Sequence, residues 1–320
     1  MAATTQAGSG GPGAERAGLI LAIGSAAAFG SLAIFLKLAD REGADPVAVL
    51  AVRFVGSAPL LWLIAIAAWR RGPRRPLIPS TRLAVGGLVL GLAGYAAQAA
   101  LFQASVRRAG AALADLLLYA YPALVVLFAW LIGREHPTAR RLGVLALATA
   151  GVALVLLGGS GASFSAAGAA FGLAAALAYT LYILGSDTIV RGLNPLTLAA
   201  LVTTGAAIAY VGALIVRGGW DDVHFSATTW GVLGGLVATT VFAIAGFLGA
   251  LSLIGPSRAS ILSTVEPVVT VVLAYAILGE RLAPAQLAGG AMVVAACVLL
   301  QLRREPAPAR EPAPGQSSPR

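Results

Sequence analysis

Residues 119–135 read YAYPALVVLFAWLIGRE and residues 264–280 read TVEPVVTVVLAYAILGE. Each is an apolar helical stretch in which a Pro is followed thirteen positions later by a Glu, Pro122 to Glu135 and Pro267 to Glu280. A constant offset of 145 residues aligns the two without a gap. It also pairs Phe102 with Phe247, Gly110 with Gly255, Ala129 with Ala274, Ile132 with Ile277 and Leu142 with Leu287. The chain is therefore two copies of one unit, and an internal repeat in an apolar chain points to a transporter.

Outward from these segments the chain stays apolar. Mean hydropathy is +0.87, with 58% hydrophobic and 11% charged residues, whereas a soluble globule carries roughly 25% charge. A helix rising about 1.5 Å per residue needs about 20 apolar residues to cross the hydrocarbon core. Ten stretches are read as spans: 17–37, 47–69, 83–103, 110–132, 142–158, 167–188, 196–216, 229–252, 259–279 and 285–302. A membrane barrel would instead alternate over segments of about ten residues. The expectation is an all-α integral membrane protein.

Each copy holds five spans, and five is odd. The second copy must then enter the membrane from the opposite face, so the expected architecture is ten transmembrane helices as two inverted five-helix repeats. The first repeat covers 17–158 and the second 167–302, joined by a linker at 159–166. Residues 1–16, small and Gly-rich, and the Pro-rich tail 303–320 are expected to be disordered and cytoplasmic. Glycines at four-residue spacing, Gly87 with Gly91 and Gly168 with Gly172, suit close helix contacts.

The net charge of +9 does not form a nucleic-acid patch, because the basic residues sit between spans. With the N-terminus inside, fifteen of them fall on the inner side and six on the outer, which places both termini in the cytoplasm. The second half, whose loops are nearly balanced, and the outer pair Arg107 and Arg108 fit this least well. Cys297 is the only cysteine, so no intrachain disulfide exists. No HExxH, GxSxG, Walker sequence or Cys/His cluster appears, which argues against an enzyme, a metal or a cofactor.

An ionisable group inside a span is costly and marks a functional site by default. Arg53, Asp115 and Glu266 qualify, while Lys37 and Asp187 at span ends read as snorkelling side chains. Arg53 and Asp115 lie at similar depth from the outer side, roughly 8 to 10 Å, and are expected to face each other or share a wet vestibule. They either form an ion pair that locks two spans or contact substrate. Glu266 precedes Pro267, whose missing N–H should kink the helix and leave the carbonyl of Leu262 or Ser263 free. A carboxyl beside a free carbonyl suits a cation, an amine or a proton, and an internal salt bridge or hydrogen bond is the alternative. The first repeat has Tyr121-Pro122 here, the same kink without the charge. Tyr95, Gln98, Gln103, Tyr119, Tyr179 and Tyr182 are further polar groups able to line a cavity, and Trp130 and Tyr275 read as interfacial anchors. Glu135 and Glu280 read as structural, each beside a basic neighbour, Arg134 and Arg281.

The paired Pro-to-Glu spans, the Glu266-Pro267 pair, the Gly279-Glu280 ending and Arg53-Phe54 resemble the EamA family of the drug/metabolite transporter superfamily, over nearly all of 17–302. His136-Pro137, where the second repeat has Arg281-Leu282, makes the first copy the more divergent. The resemblance implies a ten-helix inverted-repeat basket in the bacterial inner membrane. It implies a permease that exports amino acids or other small metabolites by alternating access, with proton coupling left open. Carried over by position, it implies a cavity built from Tyr95, Gln98, Tyr119, Tyr121, Ser263 and Glu266. A small-molecule solute and membrane lipid are the expected partners, with the chain a monomer or homodimer. A sugar-phosphate carrier would want several basic residues in the cavity, where only Arg53 stands. The alternative class is a lipid-linked flippase or accessory membrane-binding protein.

Overall fold

The computed structural model describes residues 12–72, 76–133, 138–158, 165–189, 193–219 and 223–301. Arg134, Glu135, His136, Pro137, Arg191, most of the linker, residues 1–11 and the tail 303–320 lie outside these, as does the side chain of Asp187, whereas residues 12–16, expected to be disordered, open the first helix, where Glu15 pairs with Arg258 at 2.6 Å. Among the described residues the chain is helical with no strand. In order the helices are α1 Pro12–Arg41, α2 Pro46–Arg71, α3 Thr81–Ala109, α4 Ala111–Leu118, α5 Tyr121–Leu131, α6 Ala139–Leu157, α7 Ala166–Ile189, α8 Pro195–Val216, α9 Ala227–Ile254, α10 Pro256–Ser263, α11 Glu266–Leu273 and α12 Pro284–Gln301.

Polar caps and prolines set where the long helices begin. Asp45 accepts the N–H groups of Val47 and Ala48 at 2.9 Å, with Pro46 in the first turn of α2. Asn194 does the same for Leu196 ahead of Pro195, and Ser226 for Thr229. Such side chains satisfy donors that a helix start leaves open, and Pro there loses nothing.

By length and composition nine helical stretches among the described residues can cross a membrane, counting α4 with α5 and α10 with α11 as one each. Of the ten spans expected from the sequence, the fifth is the exception. Its apolar part, Leu142–Leu157, is shorter than the others because Arg140 and Arg141 occupy the first turn of α6.

Two of the nine are broken where the prolines stand. The stretch Ala111–Leu131 interrupts at Tyr119–Ala120 before Pro122, and the stretch from Arg258 interrupts at Thr264–Val265 before Pro267. The copies match in fine detail: Gly110 and Gly255 enter α4 and α10 with φ of 89° and 81° and ψ of 164° and 163°. Only glycine takes such angles without strain.

Two features were not expected from the sequence. Leu90–Tyr95 inside α3 and Ala274–Leu278 after α11 wind as π-helical turns. Each inserts one residue into the helical register and so rotates the side chains on either side of it. The first lies where α3 and α8 approach almost backbone to backbone: a Cβ on Gly91 would overlap the Val202 carbonyl, and one on Gly205 the Leu88 carbonyl. Gly87 meets Leu201, and Gly168 meets the backbone of Arg108 and Ala109, so both spaced pairs sit at helix contacts. The main packing partners are α1 with α9, α2 with α8, α3 with α7 and α6 with α12. Each pair joins the first half of the chain to the second.

Candidate functional site

These cross-packings bring the three intramembrane ionisable residues to one place. Arg53 on α2, Asp115 on α4 and Glu266 at the start of α11 line a central cavity of about 70 Å³, together with Tyr95, Gln98, Tyr119, Tyr121 and Tyr179. Phe29, Leu32, Phe102 and Leu118 supply its apolar wall. A second cavity of about 230 Å³ shares Phe29, Tyr95 and Tyr179 with it and runs to Pro195 and Leu198 at the start of α8.

Arg53 is 5% exposed, and its Nε donates to Thr240 Oγ1 at 3.0 Å. Its guanidinium lies 4.9 Å from the ring centre of Phe54, which stacks on Tyr210 at 5.6 Å and meets Tyr95 edge-on at 5.7 Å. A cation over an aromatic face is attracted by the ring quadrupole, so this stack fixes the head of Arg53 beside the cavity. Among the described residues Arg53 makes no ion pair with Asp115. Both residues line the same cavity, with no bridge between them among the described residues.

Asp115 is 2% exposed, and its Oδ2 has no hydrogen-bond partner among the described residues. Buried polar atoms are nearly always paired, because leaving one unmet costs about 1–3 kcal/mol. Asp115 lines the cavity, and one of its oxygens is left without a donor among the described residues.

Glu266 is held differently. Tyr119 on the first half reaches across to it: the phenolic oxygen is 2.9 Å from Glu266 Oε2 and 3.0 Å from the Ser263 carbonyl oxygen. The sequence leaves the carbonyl beside the Pro267 kink free, whereas the structure closes it with the Tyr119 hydroxyl. Only a contact between the two halves could supply that donor. A phenol has one proton to give, so with the carboxylate ionised the two acceptors compete for it. When the carboxyl carries a proton it can donate to the phenol, which then donates to Ser263.

The tyrosines form a continuous wall. Ring centres are 6.0 Å apart for Tyr119 and Tyr121, 4.7 Å for Tyr121 and Tyr179, 5.8 Å for Tyr179 and Tyr182, and 5.6 Å for Tyr182 and Tyr95. Edge-on and stacked pairs at such distances are favourable and hold the rings in place. Tyr95 owes its position to the π-helical turn that ends on it.

Two residues read differently in the structure. Ser263 does not line the cavity; its hydroxyl turns back to the Ser260 carbonyl at 2.8 Å, as serines in helices do, and it contributes only its carbonyl. Gln103 is buried at 3% exposure but away from the cavity lining. Phe29 and Thr240 were not singled out from the sequence, and Phe102 was named only as the repeat partner of Phe247. The Thr239-Thr240 pair inside an apolar span was the one signal that could have drawn attention to Thr240.

The span-end charges have partners beyond snorkelling. Lys37 Nζ meets Asp40 at 3.1 Å and the Arg107 carbonyl at 2.9 Å, and Arg107 meets Asp40 at 2.7 Å. Arg107 and Arg108 belong to the last turn of α3 and not to a free loop, Arg108 resting 4.9 Å from the ring centre of Phe171. Glu280 turns to the N-terminus of α4 instead of to Arg281, its oxygens accepting the N–H groups of Ala111 at 2.9 Å and Ala112 at 3.0 Å.

Comparison with known proteins places this geometry. The model of the EamA-like transporter family matches residues 16–157 and again 166–302. An uncharacterized transporter of Bacillus subtilis, YcbK, is 27% identical over 286 residues, covering 85% of this chain and 89% of its own. An uncharacterized transporter of Synechocystis, sll1319, is 25% identical over 194 residues, 59% of this chain and 58% of its own. A protein of known crystal structure aligns over 91% of this chain and all of its own with a TM-score of 0.59. At 17% identity that likeness speaks to the fold alone.

Proposed function

Because this chain belongs to the EamA-like transporter family, and so is a multi-pass membrane transporter, we propose that it is a secondary-active exporter of a small zwitterionic metabolite of the amino-acid type. The observation that carries this reading is the buried Oδ2 of Asp115, without a partner among the described residues, in a side chain that lines one cavity with Arg53. A primary ammonium group is the donor that such an acceptor lacks, with Glu266 and Gln98 in reach of the same cavity. Arg53 answers the solute's carboxylate, because its Nε is occupied by Thr240 and its terminal nitrogens have no partner among the described residues. The tyrosine wall takes the side chain.

Alternating access fits the arrangement of the halves. Two five-helix repeats, with α6 counted as the fifth span, insert in opposite senses, and every major packing pair crosses between them. Rocking one half against the other then exposes the central cavity to either face in turn. The bacterial transporter relatives support a bacterial inner membrane, and the arginine distribution supports both termini in the cytoplasm. The Glu266–Tyr119–Ser263 junction is where a proton would couple to transport, since the hydrogen-bond pattern there changes with the protonation of the carboxyl.

The test is a counterflow screen in proteoliposomes against a metabolite panel, run on the wild type and on Glu266→Gln. Zwitterionic amino acids should exchange, and the variant should change the rate or its pH dependence. If no solute of this class exchanges at any pH, the reading is wrong.

A further inference from the structure

The helix α4 begins with two N–H groups held from outside its own sequence. Gly110 precedes it with φ of 89° and offers no side chain to cap it. The first turn of a helix exposes unpaired N–H groups and a partial positive charge, and both favour a carboxylate. Glu280, from the second half of the chain, fills that place with both oxygens, at 2.9 Å to Ala111 N and 3.0 Å to Ala112 N. A Cβ on Gly110 would stand 2.9 Å from the Glu280 carboxyl carbon, so glycine keeps the approach open.

This contact lies among others at the same end of the molecule. Arg41 donates to the Leu278 carbonyl at 2.6 Å, and Lys37, Asp40 and Arg107 tie α1 to α3. The fully buried Leu36 and Val106 pack at this end, with Leu278 beside Glu280 also buried. At the opposite end the second cavity continues from Tyr95 and Tyr179 toward Pro195. A pocket at the Glu280 end, lined by Asp40, Asp45, Arg107 and His224, shares no lining residue with the central cavity, which is extended at the other end.

The helix that Glu280 caps also carries the orphan carboxyl. Asp115 is four residues into α4, about 6 Å along its axis, so α4 cannot shift at its capped end without moving Asp115. We propose that Glu280 is a gating residue: the cavity opens at this end only when its carboxylate releases the N-terminus of α4, and solute held at Asp115 reports to the gate through the same short helix. This rests on the alternating-access reading but not on the identity of the solute.

The experiment reads the gate directly. In a Cys297→Ala background, Phe102→Cys and, separately, Leu118→Cys place a thiol on the cavity wall. A membrane-impermeant maleimide is added to one face or the other of sealed vesicles of known orientation. Glu280→Gln loses the charge and one of the two accepting oxygens. Labelling from the Glu280 face should rise roughly tenfold, the scale of one charge-assisted hydrogen bond, while labelling from the Pro195 face falls. Glu280→Asp, which keeps the charge but shortens the reach, should give a smaller rise and stands in if the glutamine variant does not fold. No change from the Glu280 face in a protein with unaltered thermal unfolding overturns the proposal. An equal rise from both faces also overturns it, since that is general loosening. Because labelling needs no solute, a failed transport screen leaves this result decided on its own.

Discussion

Removal of the Tyr119 hydroxyl tests how the two halves are joined at the site. In Tyr119→Phe the ring stays, so the packing against Tyr121 at 6.0 Å is kept, and only the oxygen that touches Glu266 Oε2 at 2.9 Å and Ser263 O at 3.0 Å is lost. Tyr119 is 5% exposed, so water does not freely replace it. With the carboxylate ionised, one charge-assisted hydrogen bond disappears; with it protonated, two neutral ones do. Either way the loss is about 1.5–3 kcal/mol, a fall of roughly 10- to 150-fold in the ratio of folded to unfolded protein. The assay is reversible unfolding in mixed micelles, with Tyr121→Phe as the control. The Tyr121 hydroxyl has no hydrogen-bond partner in the protein among the described residues, so the control should stay within about 0.5 kcal/mol of wild type. Equal losses in the two variants would refute the bridge, as would a loss under about 0.5 kcal/mol in Tyr119→Phe.

Three further outcomes follow from the same geometry. Asp115→Asn replaces a buried carboxyl whose Oδ2 has no partner among the described residues, so stability in the same unfolding assay should hold or rise while solute exchange is lost; a drop of more than about 1 kcal/mol would mean that Asp115 is structural. Arg53→Gln should leave a folded protein, judged by size-exclusion chromatography, with exchange abolished, and normal exchange by a stable variant would remove Arg53 from the site. Gly91→Leu must drive α3 from the Val202 backbone and should lower stability by about 1–3 kcal/mol or more, whereas Gly143→Leu, with open space around it, should be near neutral.

How much of this was legible beforehand depended on whether a feature is local. The breaks at Pro122 and Pro267 follow from the missing N–H of a single residue type, and the 145-residue echo placed them in register. Arg53, Asp115 and Glu266 could be picked out one by one because the bilayer makes any ionisable group costly. Their partners could not. Thr240 beside Arg53, Tyr119 beside Glu266 and the α4 N-terminus beside Glu280 are more than a hundred residues away in sequence, and nothing in composition links them. Glu280 was read against its neighbour Arg281 because sequence proximity was the one guide available. The π-helical turn at Leu90–Tyr95 was hidden for the same reason, since it lies where α8 approaches Gly91. Ser263 misled because the hydroxyl of a helical serine is as free to satisfy its own helix as to face a cavity.

The central claim is that one cavity reads both charges of a zwitterion, with Asp115 and Glu266 taking the ammonium and Arg53 the carboxylate. The most direct measurement is competition in counterflow. A labelled amino acid that exchanges in proteoliposomes is challenged with its own N-acetyl derivative, which lacks the ammonium, and its methyl ester, which lacks the carboxylate. The account predicts that the unlabelled parent competes fully and that each derivative competes at least roughly tenfold less well, the scale of one lost charge-assisted contact. Competition by both derivatives at the strength of the parent would contradict it.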